Sequence, residues 1–124
     1  MKFIDSALAL AFRRCNVDPQ RIALAGFSDG ATYSLSMGVA NGDLFNELIA
    51  FSPGYFAPPG TRGTPRVFVA HGTSDPVLSF AYTRDHIVPT FERAGYDVRF
   101  VEFDGGHTVT RAVAEEAMQW FVVP

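Results

Sequence analysis

The stretch Arg21-Ile22-Ala23-Leu24-Ala25-Gly26-Phe27-Ser28-Asp29-Gly30-Ala31 constrains the fold of this chain more than any other. Four apolar residues, Ile22 to Ala25, run into the pattern Gly26-x-Ser28-x-Gly30, and a helix-compatible segment follows. An apolar run of this length suits a strand buried on both faces, as in a parallel sheet. A sharp turn from such a strand into a helix holds the central serine in a strained backbone conformation, with its hydroxyl above the sheet edge. Small residues are expected two positions to either side, because side chains there would meet the neighbouring strand and helix. The first N–H groups of the helix point beside the hydroxyl, where negative charge develops during acyl transfer. Alone, the pattern is shared with ordinary glycine–serine turns, so the decision lies downstream.

The segments around it alternate between strand and helix signals. Residues 3–14 place Phe3, Ile4, Ala7, Leu8, Ala11 and Phe12 on one helical face, with Arg13 and Arg14 at the C-terminal end, where cations suit the dipole. A turn at 16–20 leads into the serine strand. A helix over 29–40 buries Ala31, Leu35, Gly38 and Val39 and is closed by Asn41-Gly42. Residues 47–51 form a second buried strand, followed by a Pro- and Gly-rich loop from Ser52 to Pro65 that carries Tyr55 and Phe56. A third strand, 66–70, ends in His71-Gly72-Thr73-Ser74-Asp75. A helical stretch over 78–94, closed by Gly95, contains Pro89, which should kink or split it. A fourth strand, 97–103, ends in Asp104-Gly105-Gly106-His107, and a last helix over 110–122 buries Val113, Ala117 and Phe121 beside Trp120. This alternation predicts one α/β domain over 1–124: about four parallel strands flanked by helices.

In open α/β sheets, chemistry collects at the carboxyl ends of strands. Three strand ends carry Ser28, Asp75 and His107, in that order. A serine hydroxyl needs a base to take its proton, an imidazole serves best, and a buried carboxylate holds that imidazole in the right tautomer. Each residue also has a plainer role: Asp75 before Pro76 as a turn or cap residue, His107 after two glycines as a loop histidine. His71 ends a strand too, but Gly72 beside it points to tight packing near the serine turn. His86 falls within a helix. Asp29 adjoins the serine and cannot easily reach the far side of the imidazole, whereas Asp104 shares a loop with His107 and is the stronger rival acid. The combination favours Ser28, His107 and Asp75.

With a net charge of −3 and no basic cluster beyond Arg13-Arg14, nucleic acid is not an expected partner. No apolar run approaches the length needed to span a bilayer, and Asp5 falls where a signal peptide would continue apolar. The lone Cys15 excludes an internal disulfide and suits a cytoplasmic setting; it reads as a partly buried thiol near a helix end. The histidines and carboxylates show no metal-ligand spacing and no phosphate loop is present, so neither metal nor cofactor is expected.

The motifs Gly26-Phe27-Ser28-Asp29-Gly30, His71-Gly72-Thr73-Ser74-Asp75 and Asp104-Gly105-Gly106-His107, at these separations, resemble the α/β-hydrolase superfamily. Within it they are most similar to the carboxylesterase and phospholipase-like group, near the dienelactone hydrolases and acyl-protein thioesterases. The resemblance covers nearly the whole chain. It implies Ser28 as nucleophile, His107 as general base and then acid, Asp75 as orienting carboxylate, and the Asp29 backbone N–H as one oxyanion-hole donor. A cysteine-nucleophile variant is excluded, since Ser28 occupies the turn and Cys15 lies outside it.

The resemblance also implies four further strands ahead of the first helix, so that the chain reads as a truncated α/β-hydrolase starting in mid-fold. A second oxyanion donor, normally on a loop after one of those strands, would then be wanting, and loss of one donor costs on the order of 2.7–4 kcal/mol of transition-state stabilisation. The nucleophile strand would become an apolar edge, a template for aggregation unless covered. A homodimer or larger assembly is therefore expected, through this edge or by exchange of the first helix. The Ser52–Pro65 loop, where the family often inserts a lid, is short. An open site with Phe27, Tyr55, Phe56 and Val77 as apolar walls follows, suited to small or short-chain esters, with acyl thioesters and lysophospholipids as further candidates. The contrasting expectation is a catalytically silent hydrolase half acting as an interaction module.

Overall fold

Each of the four segments expected to be extended forms a strand. In the computed structural model, β1 (Ala23–Phe27), β2 (Glu47–Phe51), β3 (Arg66–Gly72) and β4 (Val98–Phe103) form one parallel sheet in the order β1-β2-β3-β4. The structure describes residues 2–123; Met1, where the resemblance puts a start within the fold, and Pro124 lie outside the described residues. The register sets Gly26 against Ala50, Ala50 against Val69 and His71 against Glu102, so the C-terminal strand ends align along one rim.

Period-two alternation divides the interior between the two faces of the sheet. Leu48, Ala50, Val67 and Val69 meet Ala31, Leu35 and Val39 of α2 (Asp29–Ala40) and Phe91 of α4 (Val88–Arg93). Ile49, Phe68 and Ala70 face the other way, onto Val113, Ala117 and Trp120 of α5 (Arg111–Val122). Phe68 is wholly buried, with Trp120 at 5.5 Å and Phe51 at 6.3 Å between ring centroids. Burying a side chain of this size is worth about 1.5–3 kcal/mol. Gly38 on α2 leaves room for Leu48: a Cβ there would lie 2.2 Å from Leu48 Cδ2, and the buried leucine would have to shift. The α5 helix has no basic residue in its last turn. Arg21 and Arg66 supply the cations instead, donating from the strand bases to the Phe121 and Trp120 carbonyls.

Several expectations are corrected. β1 is not buried on both faces: Ala25 and Phe27 are exposed and the remaining residues half-buried, because the strand is an edge. Helix α1 (Lys2–Arg14) forms, but buries none of its residues; Ile4, Leu8 and Ala11 are half-covered, while Phe3, Ala7 and Phe12 are exposed. Cys15 is likewise exposed, and Phe121 is half-buried. β3 runs two residues further than its apolar stretch, through His71 and Gly72, because β4 pairs with it that far.

The helical stretch carrying Pro89 begins with a short α3 (Phe80–Tyr82), capped by the Ser79 hydroxyl, which accepts from Tyr82 N–H. It then widens into a π-turn, Thr83–Ile87, and resumes as α4. Pro89 has no N–H to close an α-turn on Asp85. The wider turn lets Val88 N–H donate to the Thr83 carbonyl, and the Thr90 hydroxyl donates to the His86 carbonyl at 2.6 Å. Gly95, at φ 89°, ends the segment in the left-handed conformation that helix C-termini favour.

Candidate functional site

The backbone after β1 carries the strain anticipated for a strand-to-helix serine. Ser28 has φ 61° and ψ −121°, a conformation that costs a non-glycine residue about 1–3 kcal/mol. It is held by Ser28 N–H donating to the Phe51 carbonyl at 2.9 Å, and by Ala31 and Thr32 N–H donating to the Ser28 carbonyl. The two flanking glycines differ. A Cβ on Gly26 would lie 2.2 Å from the Gly30 carbonyl oxygen and 2.7 Å from Ser34 Oγ, so glycine is obligatory. A Cβ on Gly30 would meet nothing within 4 Å, which corrects the expectation that both positions are sterically closed. Asp29 is the first residue of α2, so its N–H belongs to the set that lacks an intrahelical acceptor.

The loops after β3 and β4 are bound to each other. Thr73 N–H donates to the Phe103 carbonyl and Ser74 N–H to the Gly105 carbonyl, both at 2.9 Å. A Cβ on Gly72 would come within 2.4 Å of the Gly105 and Gly106 carbonyl oxygens. Gly72 thus serves close packing against the His107 loop, not against the serine turn as its position in the sequence suggested.

These loops bring three side chains into line. His107 Nδ1 lies 2.7 Å from Asp75 Oδ2, and His107 Nε2 lies 2.9 Å from Ser28 Oγ. A carboxylate oxygen only accepts, so Nδ1 carries the ring proton; Nε2 of the neutral ring then accepts from the serine hydroxyl. The Asp75 side chain is fully buried and that of His107 is 15% exposed. Asp75 Oδ1 accepts from the N–H groups of Val77 at 2.8 Å and Leu78 at 2.9 Å. Burial pushes the Asp75 carboxyl up, but the Leu78 N–H, the His107 hydrogen bond, the Val77 N–H and the imidazolium charge together hold it below its ordinary value.

The rivals fall elsewhere. Asp104 is exposed, and so is His86, on the π-turn. His71 is wholly buried, its Nδ1 2.8 Å from Thr83 Oγ1 and its Nε2 3.0 Å from the Leu78 carbonyl, so it cannot meet the serine. Its Nε2 is also 3.1 Å from Asp75 Oδ2, a contact that went unread. The available signal was the four-residue spacing between two polar groups straddling a strand end.

The four apolar candidates part company. Phe27 lies over the imidazole, 4.8 Å from His107 between ring centroids and tilted by 36°. Tyr55 lines a cavity of about 350 Å³ with Asp29, Thr32, Tyr33, Ser36 and Met37. Its loop is tied to α2 by Gly54 N–H donating to Thr32 Oγ1 and Ala57 N–H donating to Ser36 Oγ. Phe56 turns to the interior instead, 4.4 Å from Phe91 between ring centroids. Val77 lines a separate cavity of about 420 Å³ beside Thr73, Asp75 and Ser79. The loop after β2 begins with Ser52 at φ 56°, wholly buried, its hydroxyl without a hydrogen-bond partner among the described residues. Among the described residues no group of three or more His, Cys, Asp or Glu is placed to hold a metal ion, and no helix is long and apolar enough to cross a membrane.

No family model matches the chain, and no curated protein matches it in sequence. Solved structures do. It is similar to the esterase PE8, with a TM-score of 0.80 and 27% identity over 94% of this chain and 56% of that one. It is also similar to the Bacillus cereus carboxylesterase, with a TM-score of 0.77 and 24% identity over 97% of this chain and 57% of that one. The S-formylglutathione hydrolase FrmB of Staphylococcus aureus superposes with a TM-score of 0.76 at 15% identity, over 98% of this chain and 59% of that one. The chain therefore spans less than two thirds of the length of each.

Proposed function

The chain has the α/β-hydrolase fold, and on that premise we propose that it is a serine esterase acting on small or short-chain carboxylic esters. The observation that carries this reading is the unbroken line Ser28 Oγ, His107 Nε2, His107 Nδ1, Asp75 Oδ2, with separations of 2.9 and 2.7 Å at its two hydrogen bonds. Ser28 Oγ attacks the ester carbonyl carbon as His107 Nε2 takes its proton. Asp75 holds the ring and stabilises the imidazolium without itself becoming protonated. The carbonyl oxygen, now negative, is held by the Asp29 N–H at the positive end of α2. Collapse breaks the bond to the alcohol, which leaves with the proton from His107. Water, deprotonated by the same imidazole, then releases the acid and restores Ser28. The apolar cavity at Tyr55, Tyr33 and Met37 adjoins Asp29 and is suited to a short acyl or alkyl group.

A fluorophosphonate probe tests this directly. Labelling of the chain at Ser28, lost in Ser28→Ala together with hydrolysis of an activated acetate ester, is the expected result. An unlabelled Ser28 in folded protein, or full hydrolysis by the variant, overturns it.

A second reading, an interaction module without turnover, is favoured by the exposed β1 residues Ala25 and Phe27 and by Phe3, Leu10 and Phe12 on α1. These surfaces also make self-association through β1 or α1 part of the proposal. A module of this kind associates but takes no label.

A further inference from the structure

One buried titratable group has no part in the steps above. His71, near the end of β3, is wholly enclosed, with Phe80 edge-on at 6.0 Å between ring centroids. Its Nε2 faces two groups that only accept, the Leu78 carbonyl at 3.0 Å and Asp75 Oδ2 at 3.1 Å. Nε2 must therefore carry a proton. In the neutral ring Nδ1 is then an acceptor, and the Thr83 hydroxyl, 2.8 Å away, donates to it. Thr83 Oγ1 is also 3.4 Å from the Pro53 carbonyl, a second acceptor for the same hydroxyl.

We infer that His71 is a positioning residue for the acid: by donating to the Asp75 oxygen that His107 uses, it fixes the carboxylate and limits the negative charge offered to the base. This rests on the esterase reading of Ser28, His107 and Asp75. With His71 included, the carboxylate has four donors, Val77 and Leu78 N–H on Oδ1 and two imidazoles on Oδ2. A carboxylate accepts about that many in total, so it cannot turn without breaking a bond. Withdrawing the His71 donor leaves Oδ2 to His107 alone. The carboxylate then stabilises the imidazolium more strongly, so His107 holds its proton to higher pH. Among the described residues, the titratable groups paired at this centre are Asp75, from the loop after β3, and His107, from the loop after β4. The other elements contribute uncharged groups: Thr83 and Phe80 from the helical segment, and the Pro53 carbonyl from the loop after β2.

The first experiment needs no turnover. Nitrogen-15 spectra of the histidine rings in the wild-type chain should show His71 protonated at Nε2, in a hydrogen slow to exchange; an unprotonated Nε2 overturns the inference and leaves the esterase reading intact. The second follows the rate of fluorophosphonate labelling at Ser28 against pH. His71→Leu should lower the plateau about 10- to 100-fold, as loss of an orienting partner does, and should move the acid limb to higher pH. His71→Gln, which keeps an N–H donor at that reach, should restore both. A purely structural role would lower the plateau with the limb unmoved, or leave Gln no better than Leu, and either result overturns the inference. Where His71→Leu does not fold, the wild-type ring spectrum decides. Absence of label in the wild type overturns the function and this role with it, while the ring spectrum still reports the His71–Asp75 bond.

Discussion

β1 and β3 are strands of one sheet, separated only by β2, yet they hold their catalytic candidates by different means. Every residue of β3 from Val67 to Gly72 is buried, and Asp75 beyond it meets two backbone donors of its own loop, His71 of β3 and His107 of the loop after β4. β1 exposes Ala25 and Phe27, and Ser28 beyond it is positioned by local backbone: a strained φ, one bond to Phe51, and the close approach of Gly26 to Gly30. Asp75 is thus placed by the interior and Ser28 by its own turn. Damage to β3 should appear first as lost stability, and damage around Ser28 first as lost activity.

The largest test of that division removes charge at the acid while keeping its shape. Asp75→Asn should slow labelling of Ser28 by about 10⁴, the loss typical when the orienting carboxylate of such a triad is neutralised; stopped-flow labelling measures it. Next is the interior itself. Phe68→Ala should destabilise the fold by about 3–5 kcal/mol in urea titration, since Phe68 is wholly buried in the cluster against α5. The two glycines at the serine turn form a sharper pair. Gly26→Ala should cost about 1–3 kcal/mol by overpacking and should abolish labelling by shifting the turn, whereas Gly30→Ala should leave the melting temperature and the label essentially unchanged.

Acid is the next probe. The folded-state pKa of Asp75 lies below the ordinary 3.8, so its ionised form stabilises the fold above that pH, and the contribution is lost as pH falls through the folded value. Melting temperatures measured downward from pH 4 should show this loss in the wild type and less of it in Asp75→Asn. The smallest effect belongs to α1: Phe3, 85% exposed, should change stability by no more than about 0.5 kcal/mol when replaced by alanine. A larger loss would mean that α1 is covered in solution.

Much of this was legible because it follows from local chemistry. The apolar runs at 47–51 and 66–70 marked strands, and the inward residues of α2 followed a simple helical period. Glycine spacing around Ser28 announced the turn, and the strand-end positions of Asp75 and His107 announced their meeting. What escaped notice depends on neighbours remote in sequence. Gly72 read as a partner of the serine turn, and only the folded loops reveal Gly105 and Gly106 against it. Phe56 read as a site aromatic because its loop is short, but Phe91 draws it inward. The π-turn before Pro89 reflects a choice between kinking and widening that the Thr90 hydroxyl helps decide. His71 reads as a spent rival to His107: its four-residue spacing from Asp75 permits a contact, but nothing in the sequence says that one carboxylate oxygen serves two rings.

The two arginines that finish α5 have a consequence for how the molecule is assembled. Arg21 at the root of the first strand and Arg66 at the root of the third each grip a carbonyl near the end of the last helix, contacts 100 and 54 residues apart along the polypeptide. On a ribosome neither grip can form until α5 has emerged. The face of Phe68 that Trp120 covers stays wet until then, and closure of this side of the sheet waits for the last helix to emerge.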